Sequence, residues 1–456
     1  MLNYSYYPFK NILEDIGAED LVLLKDVSEG WYIDYKVQSL KIPDLAKQLS
    51  AFANQYGGWL IIGVNEASDG SRTASEFVGI PVSELEKVSR DIREASSAHV
   101  NPEVLYEEKV ISGPIESIGL AEDKAIIIIG IPMSENTPHI HSSGRIYRRL
   151  ADQSKPKEET DRYILDDLWK RGSDRKIKLR NFLTATPAIP NSQSDSSWAY
   201  IFLKPSQSQK GPSKKLSFKD FSEVLGAENV KTMNGVKMPF DGIYTTSDGF
   251  LARNIGKNDP SLATTSFRWW HNGTVRLDIP LNKYDLSTFL SQIDIHKYGA
   301  DYYLLAEEFG FNDIDVVDYS LFCQTTAALI NFYLHLLDVL GDKRDVYSCF
   351  TIKNVFHTIP FIDSKSFLER CKVNSIPLTL DKNIVLPAEP SEESMFSHKY
   401  SVRDVDFKCP KQYTPIPYLF SSPIFYRVLL SVGIISCIEE FSGDTELFGF
   451  HKLNKQ

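Results

Sequence analysis

A strand, a helix and a second strand follow one another almost without connecting residues between positions 29 and 66, and this stretch constrains the fold more than any other. Its middle repeats apolar side chains at helical spacing, on Leu45, Leu49 and Phe52. The pair Gly57-Gly58 is typical of a left-handed helix end and places that end near Tyr56. Residues 59–64 are then a continuous apolar run, which is typical of a strand buried on both faces. The stretch therefore predicts a helix packed on a sheet.

A second predicted strand, residues 31–37, precedes the helix and carries alternating side chains. Glu29 lies five residues before Asp34, and along a straight strand this odd separation sends the two carboxylates to opposite faces. They can converge only if the chain bends between them. Gly30 supplies a place for that bend.

Four motifs occur in an order that resembles one known family. They are Glu29-Gly-Trp-Tyr-Ile-Asp34-Tyr-Lys36, Ala51-Phe-Ala-Asn54 with Gly57-Gly58, Ile62-Gly-Val-Asn-Glu66, and Pro138-His139 followed by Tyr147-Arg148-Arg149. Together they resemble the Schlafen AlbA-like domain over roughly residues 20 to 165, about a third of the chain. Asp34 departs from the family pattern because it replaces the usual Glu, and Asn65-Glu66 replaces a pair of aspartates.

The resemblance implies nucleic-acid binding and, in some Schlafen members, metal-dependent cleavage of transfer or ribosomal RNA by three acids. Carried over by position, those acids are Glu29, Asp34 and Glu66, which would hold Mg or Mn and act as the catalytic residues. A role in phage defence or in stress is also what the family suggests. Under this interpretation the residues that would seat nucleic acid are Lys36, Arg145, Arg148, Arg149, His139 and His141.

The same residues also have plainer interpretations. Asp34 and Lys36 can pair on the surface of the sheet, while Glu66 stays exposed. The arginines can be surface charges on edge strands. His139 and His141 lie on one face of an extended segment, where they can either bind RNA or order the loop by hydrogen bonds, and we favour the second.

Charge and cysteine content limit the remaining choices. The formal net charge of -10 opposes nucleic-acid binding unless cations cluster locally, and two clusters do occur, one at 170–180 and one at 204–219. Each can equally be a solvated face or a flexible loop.

Five scattered cysteines without a Cys-x-x-Cys pattern argue against a zinc ribbon or a disulfide framework. No apolar run approaches the length of a membrane helix and no leader pattern is visible, so a cytoplasmic protein is expected.

The predicted fold class is α+β. An N-terminal mixed sheet with packed helices, residues 1–185, is followed by a second α+β region of unknown topology, residues 195–456. The Pro- and Ser-rich loop 186–197 is the expected boundary. The second region can contain two subdomains, about 195–285 and 286–456.

Two functions are compatible with these patterns. One is a divalent-metal-dependent endoribonuclease of Schlafen type acting on structured RNA such as tRNA. The other is a non-catalytic DNA- or RNA-binding regulatory module whose C-terminal half contacts a partner. RNA is the more expected nucleic acid, and a homodimer is expected because a small half-open sheet makes only a shallow cleft.

Overall fold

The computed structural model describes residues 4–11, 13–150, 155–206, 211–212, 214–227, 230, 232–233, 236–238, 240–255, 259, 261–291, 296–390, 396–400, 424–425 and 427–433. The chain divides into two compact units, Met1–Lys178 (unit 1) and Leu179–Gln456 (unit 2). The division falls inside one helix, Arg162–Thr184, and the predicted boundary loop at 186–197 follows that helix.

Unit 1 is built on a five-stranded mixed sheet. Its helices are α1 Ala18–Leu23, α2 Ile42–Asn54, α3 Leu85–Ser97 and α4 Arg162–Thr184, the last of which continues into unit 2. Its strands are β1 Ile33–Lys36, β2 Gly57–Ile62, β3 Asn65–Glu66, β4 Ala74–Glu76, β5 Ile80–Pro81, β6 Val100–Asn101, β7 Glu107–Ser112, β8 Lys124–Pro132, β9 Ile140–His141, β10 Tyr147–Arg148 and β11 Lys157–Glu158. The sheet runs β1-β2-β8-β5, with β7 also paired to β8. β1 and β2 are parallel and the other pairs are antiparallel.

The central strands β2 and β8 are buried on both faces. Trp59 and Ile61 of β2 join the apolar cluster formed with the N-terminal residues and α1. Leu60 and Ile62 face the opposite cluster, which α2 and α3 supply. The predictions of an α+β fold and an N-terminal mixed sheet are confirmed, and the doubly buried strand expected over 59–64 is present at Gly57–Ile62.

Helix α2 ends where its sequence predicts a stop. Pro43 lies in the first turn and the last helical residue is Asn54. Gly57 has a φ of +73°, and a Cβ there would overlap the backbone of Pro132 and Met133. Only glycine fits both the left-handed conformation and this close approach to β8.

Unit 2 is a second α+β unit with a ten-stranded sheet. Its helices are α5 Phe218–Gly226, α6 Leu286–Ser291, α7 Gly299–Glu308, α8 Ser320–Leu340 and α9 Lys365–Asn374. Its strands are β12 Ser197–Pro205, β13 Thr232–Met233, β14 Val236–Lys237, β15 Gly242–Thr246, β16 Gly249–Arg253, β17 Ser266–Trp270, β18 Val275–Tyr284, β19 Asp315–Asp318, β20 Val346–Lys353, β21 Thr358–Phe361, β22 Asn383–Leu386 and β23 Phe396–Tyr400. The sheet order is β15-β16-β17-β18-β12-β20-β22, with β19, β21 and β23 attached at its side.

Helix α8 forms the centre of the unit 2 core. Its Phe332 packs on Phe267 of β17 and on Phe221 of α5, at ring-centroid distances of 4.6 and 5.2 Å. The large sheet joins strands from both sides of residue 285.

Several local predictions can be compared directly with the structure. The pattern of apolar and polar residues over 115–118 predicts a short strand, whereas Glu116–Ile118 form a 3-10 turn. Cys323, Cys349 and Cys371 are free and buried, while the remaining two cysteines lie outside the described residues. Among the helices that the structure describes, none is long and apolar enough to cross a membrane.

Candidate nucleic-acid interface

The turn before β1 brings Glu29 and Asp34 together. The Gly30 N–H donates to the Ile33 carbonyl oxygen over 3.0 Å, which closes the bend that the sequence required. The Glu29 Oε1 atom then accepts a 3.2 Å hydrogen bond from the Tyr35 N–H. Both acids are buried, with 6% of Glu29 and none of Asp34 exposed.

Two cations compensate these two carboxyl groups. Lys36 Nζ lies 2.8 Å from Asp34 Oδ2 and 3.8 Å from Glu29 Oε1. Arg149 Nη1 lies 3.1 Å from Asp34 Oδ1. Each oxygen of Asp34 therefore already faces a positive charge.

Burial and the neighbouring acid change the protonation of Glu29. Desolvation first, and then the hydrogen bond to Asp34 and its charge, raise the pKa of Glu29 from 4.5 to about 8. Glu29 therefore holds a proton at neutral pH and can donate it in a hydrogen bond to Asp34. Two like charges in one buried site are avoided in this way.

The third predicted acid has a different partner. Glu66 lies on the short strand β3, is about one-third exposed, and pairs with Arg72 at 3.5 Å. Nowhere in the described part of the chain do three His, Cys, Asp or Glu side chains form a group that could hold a metal ion. A divalent cation prefers several free oxygen ligands, whereas the oxygens of Asp34 face Lys36 and Arg149. The residues present do not fit the expected magnesium or manganese site.

Arg149 is a buried structural residue in this arrangement. Its side chain is fully buried, and its Nη2 donates to the carbonyl oxygens of Gly30 and Ile33 at 3.1 and 3.2 Å. The guanidinium also lies 5.0 Å from the centre of the Phe52 ring. It cannot reach a phosphate from this position.

The buried charges cap the free edge of the sheet. β1 is the outer strand, and its outward-facing groups at Ile33 and Tyr35 have no neighbouring strand. Arg149 donates to the backbone carbonyl oxygen of Ile33. The backbone N–H of Tyr35 donates to Glu29, and the backbone carbonyl oxygen of Tyr35 accepts from Lys36 Nζ over 3.0 Å. Unpaired groups on an edge strand would otherwise invite pairing with another chain.

The other predicted binding residues also have internal partners. Arg145 pairs with Glu158 at 2.9 Å and Arg148 pairs with Glu159 at 2.6 Å. The pair formed by Arg148 is mostly buried, whereas Arg145 stays more than half exposed.

Both histidines order the loop that follows β8. His139 Nδ1 donates to the Pro102 oxygen over 2.7 Å, and burial lowers the pKa of His139 to about 4. His141 Nε2 donates to the Pro43 oxygen over 3.1 Å, while its Nδ1 accepts from the Ser143 N–H. Burial also lowers the pKa of His141. The loop-ordering interpretation of these histidines agrees with this geometry.

The basic cluster at 170–180 lies on helix α4, on both sides of the division between the units. Residues 170–178, in unit 1, contain five cations and one acid, and Lys170, Lys176 and Lys178 are exposed. Arg171 Nη1 donates to the oxygens of Asn54 and Gln55 at 3.3 and 3.4 Å. Arg171 therefore places positive charge at the C-terminal end of α2, where the helix dipole favours it.

A surface cluster of aromatic rings has no clear signal in the sequence. Tyr6, Trp31, Tyr32 and Tyr56 contact one another at the surface of unit 1. They come from three separate segments, so no local pattern announces the cluster. The local signal that could have pointed to it is the aromatic pair Trp31-Tyr32 directly after Gly30, together with Tyr56 just past the end of α2.

Comparison with known proteins agrees with this architecture. A mixed sheet flanked by helices defines unit 1 as an α+β domain, and residues 29–158 match the family model described as Schlafen, AlbA_2. Residues 29–158 of unit 1 are therefore similar to the Schlafen AlbA_2 family, and the resemblance stated from the motifs is confirmed over that range. The match supports a nucleic-acid-related function.

Solved structures similar to this chain include two bacterial ones. The N-terminal domain of a RecG-related protein from Nitrosomonas europaea is 22% identical, with a TM-score of 0.23, and the alignment covers 32% of this chain and 97% of that domain. A protein from Corynebacterium diphtheriae is 14% identical, with a TM-score of 0.22, over 38% of this chain and 30% of its own. No curated protein matches the chain.

Proposed function

We propose that unit 1 binds nucleic acid, RNA in preference to DNA, and holds it without cleaving it. The observation that carries this proposal is segment 170–178 of α4, which contains five cations, three of them exposed, and one acid in a chain with a net charge of -10. Lys170 and Lys178 are exposed, and the described residues place no carboxylate within 4.0 Å of either ammonium group. Cations without acidic partners can bind phosphates and release the counterions condensed on them.

The buried charge cluster supports binding over catalysis. Each oxygen of Asp34 faces a cation, and Glu29 is held protonated near neutral pH. A nuclease that used these acids would have to break the contacts that cap the edge of β1. A structural role for the cluster requires no such change.

Metal-dependent cleavage of structured RNA such as tRNA is the second candidate function. One observation favours it, namely that Glu29, Asp34 and Lys36 lie within one compact cluster next to the surface, with Lys36 about one-fifth exposed. The catalytic proposal needs Glu66 as a third acid, and Glu66 is paired with Arg72. We therefore rank it below simple binding.

The test is a salt titration of the full chain with a labelled structured RNA and with a DNA duplex of equal length. We expect the affinity to fall steeply with salt, and to fall less steeply in the double variant Lys170→Ala/Lys178→Ala. The slope of log K against log [salt] should decrease by roughly 0.7–0.9 for each phosphate that the variant no longer neutralises. The matched control is Lys372→Ala/Lys382→Ala, which removes the same charge from exposed positions in unit 2.

The same incubations separate the two candidate functions. RNA that stays intact with magnesium or manganese, at protein concentrations that saturate binding, agrees with a binding module. Cleavage that disappears in Asp34→Asn while binding persists would instead establish the nuclease. Absence of salt-sensitive binding to every nucleic acid tested would refute both.

A further inference from the structure

We propose that four aromatic rings on unit 1 form a stacking platform for unpaired bases. The aromatic platform consists of Tyr6, Trp31, Tyr32 and Tyr56. This inference rests on the proposed nucleic-acid binding and adds a preference for single-stranded segments. The four aromatic residues are different from the lysines that we propose to contact phosphates.

The rings form a continuous surface chain. Their centroids are 5.2 Å apart for Tyr6 and Tyr32, 6.0 Å for Tyr32 and Tyr56, and 5.7 Å for Trp31 and Tyr56. Tyr6 is 37% exposed and Tyr56 is 41% exposed, and the other two are half-buried. Large aromatic residues left at the surface in contact with one another mark an interaction site more often than a packing accident.

Buried contacts fix the turn that carries Trp31 and Tyr32. Arg149 binds the carbonyl oxygens of Gly30 and Ile33 on either side of the two aromatic residues. The backbone carbonyl oxygen of Tyr32 accepts a 2.7 Å hydrogen bond from the backbone N–H of Trp59. The cluster of Glu29, Asp34 and Arg149 therefore supports the turn from below.

Hydrogen bonds also hold the backbone segments that carry Tyr6 and Tyr56. Trp59 Nε1 donates to the backbone carbonyl oxygen of Tyr6 over 2.9 Å, and this bond connects the N-terminal segment to β2. Arg171 binds the carbonyl oxygens of the two residues before Tyr56. Rings carried by backbone that is already held lose less conformational entropy on binding than rings on a mobile segment, which favours their contact with a base.

Charge next to the platform selects nucleic acid as the occupant. The guanidinium of Arg171 lies beside the backbone that leads to Tyr56, and Lys178 follows seven residues later, on the same side of α4. A strand whose bases stack on the rings can place its phosphates along these cations. Stacking of successive bases on aromatic side chains beside a cationic track is the usual mode of single-strand binding.

Duplex nucleic acid cannot use the platform in this way, because base pairing and stacking hide the faces of its bases. The platform should therefore add affinity only for unpaired nucleotides. Its contribution should also be independent of salt, since no charge is involved.

The experiment measures binding of the full chain to fluorescein-labelled oligo(U), oligo(dT) and an RNA duplex by anisotropy over a range of salt concentrations. We expect Tyr56→Ala and Tyr32→Ala each to weaken oligonucleotide binding about tenfold, with the salt slope unchanged and duplex binding unaffected. Tyr56→Phe keeps the ring and should bind like the wild type. The control is Tyr244→Ala, which removes a tyrosine 42% exposed in unit 2.

Circular dichroism and thermal melting confirm that each variant is folded. Wild-type binding by both alanine variants, or an equal reduction in affinity for single strands and duplex, would overturn the platform while leaving the proposed function intact. Failure of the wild type to bind any oligonucleotide would remove the proposed function itself. A change in self-association of Tyr56→Ala without a change in oligonucleotide affinity would identify the rings as a protein contact and refute the inference.

Discussion

Arg149 is held in a buried site that its neighbours in the sequence do not form by themselves. Its motif resembles the family pattern, yet the side chain is fully buried against Phe52 and bound to two carbonyl oxygens. Burial is decided by residues far away in the sequence, because Gln48 and Phe52 of α2 close the site. Motif spacing could identify the partners Glu29 and Asp34, but it could not show that they are enclosed.

At the residue scale, the raised pKa of Glu29 predicts how stability depends on pH. The folded state holds a proton that the unfolded state releases above pH 4.5, so this group stabilises the fold fully below about pH 4.5. That stabilisation is lost as the pH rises through about 8. Glu29→Gln keeps an oxygen for the Tyr35 N–H and cannot ionise. We therefore expect the thermal midpoint of the variant minus that of the wild type to increase between about pH 5 and about pH 8.5. Each kcal/mol of change in the free energy of unfolding should shift the thermal midpoint by roughly 2–4 °C.

The matched control for this measurement is Glu122→Gln, an exposed residue on the same unit. Its difference from the wild type should be small at every pH. If Glu29→Gln shifted the midpoint by the same amount at both ends of this pH range, Glu29 would not titrate within it.

At the scale of elements, the helix α2 and strand β2 were predictable because each has a complete local signal. Apolar spacing sets the buried face of α2, a glycine pair ends it, and a continuous apolar run identifies β2. The surface of unit 1 was not predictable in this way. Tyr32 and Tyr56 meet because β1 and β2 lie side by side, and Tyr6 joins them by its contact with Tyr32. Neither contact has a local signature in the sequence.

The junction between α2 and β2 can be tested through Gly57. An alanine there must adopt a left-handed conformation, which costs about 1–2 kcal/mol, and must also displace the backbone near Met133. We expect Gly57→Ala to destabilise unit 1 by about 2–5 kcal/mol in total, measured by chemical denaturation. Gly70→Ala is the control, because Gly70 also has a positive φ but has open space around its Cβ position.

Only the conformational cost should appear in the Gly70 variant. The difference between the two variants then measures the close approach between Gly57 and β8. Equal destabilisation of both would show that β8 moves away without cost and that the approach is not a constraint.

At the scale of the whole molecule, the net charge of -10 is a poor guide to binding because the charge is unevenly distributed. Helix α4 carries five exposed cations, whereas the cations in the family motifs neutralise nearby acids. The topology of unit 2 could not be predicted either. Its large sheet joins strands far apart in sequence, such as β12 with β20, and each strand signal is short.

The expected homodimer is a prediction for the whole molecule, and the capped edge of β1 limits how it can form. The carbonyl oxygen of Ile33 and both outward backbone groups of Tyr35 already have partners, which opposes extension of the sheet by a second copy at this edge. A contact at this edge must then be made by side chains, with salt-resistant association if they are apolar. Light scattering at micromolar concentration, on protein cleared of nucleic acid, should give twice the chain mass at both low and high salt. The mass of a single chain under both conditions would contradict the prediction, and a dimer seen only with oligonucleotide present would show that nucleic acid bridges two monomers.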